Sequence, residues 1–312
     1  MELSILLFQK ILSMALIMMM GYLVRRAGVV KAEHTPLISA LMLYVFCPCM
    51  VINAFMIPYD PQLFRAFLIA LAGGFVVQLF LIGLAWLTGR TPFAPDATEQ
   101  GCMAFTNSGN LLMPLINSLL GPEYLLFSVP MLFANTVIGW FYFPPLFHAE
   151  NRPNARQILR NPSVSCIYVG ILLFRFGIRF PGVIEDTLRN VTNAVGVMSM
   201  LLTGMLMAGI DLKAAFTSLR NILIALMRLI VFPLIVILVM RVLGLYKISD
   251  MLYAVMLVLT MGAAAPTATN VLVMSNLYGG RAELASAVSA MTTALCVLTL
   301  PLMVYIFQMI CK

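Results

Sequence analysis

The sequence runs to 312 residues, of which 62% are hydrophobic and only 10% charged, with a mean hydropathy of +1.00. A soluble globular chain carries roughly 25% charged residues, so this composition excludes a soluble enzyme and describes a chain that meets lipid. The net charge of +7 comes from basic residues between apolar runs, where they fix membrane orientation rather than grip nucleic acid.

Apolar runs long enough to cross roughly 30 Å of hydrocarbon recur along the chain and predict ten spans: 3–24, 34–55, 63–87, 99–119, 122–147, 162–178, 184–208, 219–243, 250–275 and 282–310. The first starts directly after Met1-Glu2-Leu3 with no basic leader segment, so it reads as a retained helix rather than a cleaved signal. Cys47-Pro48-Cys49 in the second span looks like a redox pair. None of the six cysteines has metal-site spacing, however, and small apolar filler is the better reading. Lys10 in span 1 and Arg228 in span 8 are expected to snorkel to the nearer interface. Asn53, Gln78, Asn135, Thr136 and Asn193 are expected to hydrogen-bond between helices, with Asn135 the strongest candidate for a ligand contact. The 24 methionines read as flexible apolar filler.

A polar stretch from His148 to Arg160 separates five spans from five. The expected organisation is a first five-helix repeat over 1–147, a cytoplasmic linker over 148–161 and a second repeat over 162–312. The halves match in order. Phe64–Leu71 aligns with Leu219–Leu226, Gly89 with Gly244, Gly28-Val29-Val30 with Gly182-Val183-Ile184, and Pro145-Leu146-Phe147 with Pro301-Leu302-Met303. An odd number of spans per half places the second copy upside down, the architecture of secondary transporters. Loops after odd-numbered spans hold ten Lys and Arg against seven on the other side. That bias places the central loop in the cytoplasm and both termini outside a cell (plasma or inner) membrane.

Polar groups and helix breaks are costly in hydrocarbon, so their positions mark function. Span 4 carries Thr106-Asn107-Ser108-Gly109-Asn110-Leu111-Leu112-Met113-Pro114, and span 9 carries Gly262-Ala263-Ala264-Ala265-Pro266-Thr267-Ala268-Thr269-Asn270. Taken singly, either proline is an ordinary kink. Matched interruptions in both halves predict broken helices whose half-helix N-termini face an anion near mid-membrane. The candidate substrate-binding residues are Asn107, Ser108, Asn110, Pro114, Asn135, Pro266, Thr267, Thr269 and Asn270.

These residues resemble a known family. Asn107-Ser108-Gly109-Asn110 through Pro114-Leu115, with Leu120-Gly121, is similar to the fourth-helix signature of the auxin efflux carrier family. Ala265-Pro266 through Leu277-Tyr278-Gly279-Gly280, then Ala282-Glu283-Leu284-Ala285-Ser286, resembles its ninth-helix segment, and Leu298-Thr299-Leu300-Pro301-Leu302 its tenth helix. The span layout resembles the family over essentially the whole chain, and the short central loop looks like its bacterial branch. The resemblance implies an all-α membrane protein whose fourth and ninth helices break and cross. It implies a scaffold of helices 1, 2, 6 and 7, with helices 3–5 and 8–10 as the moving transport part. It also implies organic anions as substrates, auxins in plants and malate or malonate in bacteria. Val197 stands where many relatives have a proline, which implies a straighter seventh helix.

No Asp or Glu falls in the middle third of any span, so no carboxylate proton relay is evident. No cofactor is expected. Coupling to sodium through freed carbonyls, coupling to protons and uncoupled transport stay open, as does a homodimer. A channel would show a repeated polar pore face, and a ligand-sensing receptor an added output domain. An intramembrane enzyme would show a catalytic constellation within the spans. A secondary carrier of a small organic anion, working by alternating access, accounts for the repeat and both breaks together.

Overall fold

The computed structural model describes residues 2–147 and 161–311. Among the described residues, seven helices are long and apolar enough to cross a membrane, and they supply spans 1, 2, 3, 5, 7, 8 and 10. Span 6 is the shorter apolar helix Pro162–Arg175. Spans 4 and 9 are each made of two pieces, which completes the ten. Nearly all of the expected central linker, His148 included, lies outside the described residues.

Local chemistry sets the span starts. Asp60 accepts from the amide of Gln62 with Pro61 opening span 3, and Asn161 accepts from Ser163 and Val164 with Pro162 opening span 6. In both, a side-chain acceptor satisfies first-turn amides while proline occupies a position whose amide needs no partner. Span 4 opens with a capping box between Asp96 and Glu99.

Span 4 runs as half-helix 4a (Ala97–Ala104), an extended stretch at 105–107, and half-helix 4b, a π-turn Ser108–Leu112 continuing into Met113–Leu119. Span 9 runs as 9a (Asp250–Ala264), an extended stretch at 265–268, and 9b (Thr269–Leu277). Both breaks occur where the sequence pattern places them. Pro114, however, does not cause the first: the chain is helical on both sides of it, and the interruption lies upstream at Phe105–Asn107.

The reason appears in three places. π-turns at Met42–Phe46, Ser108–Leu112 and Met227–Val231 each lead directly into a residue followed by proline: Pro48, Pro114 and Pro233. Proline cannot donate to the carbonyl four residues back and crowds it. One wider turn, with the amide bonding five residues back, absorbs that clash without ending the helix. In each case the amide after the turn bonds five residues back, from Cys47 to Met42, Met113 to Ser108 and Phe232 to Met227.

Spans 1 and 7 pack along each other, span 2 packs on span 7, and span 6 packs on spans 2 and 5. Spans 3, 5, 8, 9 and 10 and half-helix 4a pack chiefly among themselves. Gly21 and Gly204 allow the contact of spans 1 and 7: a methyl group on Gly21 would strike the backbone of Leu201, and one on Gly204 the backbone of Met18. Span 7 is one unbroken helix, Gly182–Met207.

Candidate functional site

The two breaks meet. The amide of Asn107 donates to the carbonyl of Pro266 at 2.8 Å, and the amide of Ala268 donates to that of Phe105 at 3.0 Å, forming an antiparallel bridge between Thr106 and Thr267. Backbone groups that each broken helix loses are thus satisfied by the other. The antiparallel sense means that spans 4 and 9 cross in opposite directions, as an inverted repeat requires.

Side chains secure the crossing. Thr267 donates its hydroxyl to the carbonyl of Cys102 at 2.8 Å, and its amide donates to Thr292 Oγ1 at 3.2 Å. Asn135 of span 5 donates to the carbonyl of Thr106 and, at 3.0 Å, to Ser108 Oγ. Asn110 Nδ2 reaches across to Thr269 Oγ1 at 3.3 Å.

Beside the crossing lies a cavity of about 350 Å3. One wall is the crossing itself: Thr106 to Asn110, Ala268 to Asn270 and Leu272 to Met274, backed by Leu132, Asn135, Thr136 and Trp140 of span 5. The other wall comes from span 2 (Ser39, Met42, Leu43, Cys47), the start of span 6 (Asn161, Ser163) and span 7 (Leu202, Thr203, Leu206). Span 7 therefore contributes to the site although it lacks the proline.

Of the nine candidate residues, Asn107, Ser108, Asn110, Asn135, Thr269 and Asn270 line this cavity, and Pro114, Pro266 and Thr267 do not. Pro114 is buried in the continuous part of 4b, and the carbonyl of Pro266 and both polar groups of Thr267 are committed to the crossing. These three shape the site from behind.

Two polar atoms of the cavity walls are buried without a protein partner, the donor Asn107 Nδ2 and the acceptor Asn135 Oδ1. Half-helix 4b begins at Asn107, whose side chain accepts from the amide of Asn110 at 3.3 Å. Half-helix 9b begins at Ala268 with no side-chain cap, leaving first-turn amides without the partner a cap would provide. Both half-helix N-termini, each carrying about half a positive charge, point into the crossing.

Each half-helix that ends at the crossing has its own donor. Gln78 of span 3 donates to the carbonyl of Ala104 at 3.2 Å, at the end of 4a. Arg228 of span 8 donates to the carbonyl of Ala265 at 2.6 Å, at the end of 9a. Arg228 does not snorkel: it is 0% exposed, because the π-turn directs it inward and a freed carbonyl meets it. Lys10 lies on the exposed face of span 1.

A second feature was invisible in the sequence. Glu99, 0% exposed, pairs with Arg220 and Arg281, and Arg281 also reaches Asp96 at 3.0 Å, joining the starts of spans 4, 8 and 10. The capping-box spacing of Asp96 and Glu99 was the only local signal.

An all-α bundle of ten apolar spans, enclosing a cavity where two broken helices cross, defines a polytopic membrane protein of the inverted-repeat type. The chain belongs to the auxin efflux carrier family: the family model described as membrane transport protein matches residues 6–155 and again residues 144–304. Together the two matches cover nearly the whole chain. No curated protein matches the sequence. Family membership makes this chain a membrane transport protein.

Proposed function

We propose that the protein is a secondary carrier that moves a small organic anion, a mono- or dicarboxylate, by an elevator-type alternation of access. The carboxylate sits in the cavity beside the crossing. Asn107 Nδ2, Asn110 and Asn270 donate to it, the first-turn amides of 9b add backbone donors, and Thr269 and Ser108 complete the polar wall. The observation that carries this reading is a cavity lined by Asn107, Asn110, Thr269 and Asn270, where two half-helix N-termini converge and Asn107 Nδ2 is buried without a protein partner. Such a site favours negative charge and offers no carboxylate of its own.

The packing supports a division of labour. Spans 1, 2, 6 and 7 form the scaffold, and spans 3–5 and 8–10 move with the crossing between them. The cavity lies on the boundary, its far wall contributed by spans 2, 6 and 7, so sliding one group past the other would change which side of the membrane it opens to. The excess of Lys and Arg after odd-numbered spans supports a cytoplasmic central loop with both termini outside.

The test is uptake of radiolabelled malonate into liposomes carrying the purified protein. A hydrogen bond to a charged group contributes about 1.5–3 kcal/mol, so Asn107→Ala and Asn110→Ala should each lower uptake at limiting malonate by about ten- to a hundredfold. Because Asn107 also caps 4b and Asn110 also bonds to Thr269, the melting temperature should fall modestly, by what the loss of about 1 kcal/mol produces, with the protein still folded. Undiminished uptake in both variants would remove the crossing from the site.

A further inference from the structure

Arg228 is a full charge in the interior with no acid to balance it. Among the described residues it makes no ion pair. One nitrogen donates to the Ala265 carbonyl, and Nε and Nη1 have no protein partner. A guanidinium stays protonated in proteins, and burial of an unbalanced cation is costly, so its retention calls for a function. Asp96 and Glu99, at the start of the adjoining half-helix 4a, do not supply the balance, since they are matched by Arg220 and Arg281 at the end of the bundle. The negative end of 9a eases the local cost. A helix dipole carried along without turning, however, moves no net charge, so it cannot cancel Arg228 in transit. In the first half a neutral side chain does the same hydrogen-bonding work from a different register, Gln78 of span 3 donating to the carbonyl of Ala104 at the end of 4a, while the position aligned with Arg228 is Gly73. Hydrogen bonding alone therefore does not require a cation here.

We propose that Arg228 is the resident countercharge of the moving unit. The empty unit then crosses the membrane field carrying one positive charge, and the unit loaded with a monoanion crosses it neutral. This inference rests on the elevator reading above. Its consequence is a choice of step. Membrane voltage acts on the return of the empty unit, and on the loaded unit only when the substrate carries a second negative charge. Arg228 does this through the field and through its bond to the crossing. It does not line the cavity.

Exchange isolates the loaded step, because labelled anion outside and unlabelled anion inside keep the carrier loaded in both directions. Liposomes with saturating anion on both faces and a potassium diffusion potential provide the measurement, with indole-3-acetate as the monoanion and malonate as the dianion. One charge crossing the whole field at 100 mV is worth a factor of about 50 in a population ratio. In the unaltered protein, indole-3-acetate exchange should change less than about twofold between 0 and 100 mV, and malonate exchange several-fold. Arg228→Lys, which keeps the charge, should follow the unaltered protein. Arg228→Gln should reverse the pattern for the monoanion, whose exchange becomes voltage-sensitive by several-fold.

The comparison of the two anions needs no variant, so it decides the matter even if Arg228→Gln does not fold. Monoanion exchange as voltage-sensitive as dianion exchange in the unaltered protein would overturn the countercharge while leaving the carrier in place. Voltage-insensitive monoanion exchange in a folded Arg228→Gln protein would overturn it as well. Absence of saturable exchange of either anion would instead overturn the carrier reading, and the countercharge with it.

Discussion

The contact between spans 1 and 7 and the crossing of spans 4 and 9 are built on opposite principles. The first depends on removing side chains. Gly21 and Gly204 let two backbones approach where any Cβ would collide with a main chain, and the apolar side chains Met14, Met18 and Met200 are buried nearby. In lipid, where apolar side chains gain nothing by leaving solvent, such close packing is a main source of helix association. The second depends on polar groups: broken backbones exchange hydrogen bonds, and Thr267, Asn135 and Asn110 tie the breaks together. A tight apolar contact leaves nothing over to bind a solute. A polar crossing does, because not every group freed by breaking a helix finds a partner within the fold.

The comparison breaks most sharply at Gly204. Gly204→Ala puts a methyl group into the Met18 backbone, which cannot yield as a flexible side chain would. Overpacking costs about 1–3 kcal/mol where side chains can adjust, so the loss here should reach the top of that range. It should appear as a large fall in melting temperature, together with loss of malonate binding, in detergent-purified protein. A melting temperature unchanged by this substitution would mean that the helices part freely and that the contact is not a rigid one.

Thr267→Val sharpens the other side. It keeps the shape of the side chain, removes the donor to Cys102 and leaves a buried carbonyl unpaired, which costs about 1–3 kcal/mol. The fall in melting temperature should be smaller than for Gly204→Ala. Because Thr267 stands behind the cavity, malonate affinity should change less than for Asn107→Ala. A larger loss of affinity than of stability would place Thr267 among the binding residues.

Much of this was legible in the sequence. Hydropathy located every span. Two clusters of Asn, Gly, Thr and Pro in apolar surroundings located both breaks, because such residues are rare in hydrocarbon without a reason. Six of the nine candidate residues line the cavity for that reason. What failed was finer. Pro114 was read as a breaker, but a π-turn absorbs it; that relief depends on the local turn, which residue spacing does not reveal. Thr267 was read as a ligand because its chemistry suits one, whereas its partner Cys102 lies 165 positions away. The expected snorkelling of Arg228 failed likewise, since Ala265 is 37 positions distant and only the folded chain brings it near. The scaffold wall of the cavity, with Met42, Leu43, Leu202 and Leu206, carried no signal because its residues are ordinary apolar ones.

The most direct measurement is a cryo-electron microscopy map of the protein in nanodiscs with saturating malonate. Density for the anion is predicted in the cavity between the crossing and spans 2 and 7, within hydrogen-bonding distance of Asn107 Nδ2 and the first-turn amides of 9b. Malonate density away from the crossing, with the cavity beside Asn107 unoccupied by anion, would contradict the account.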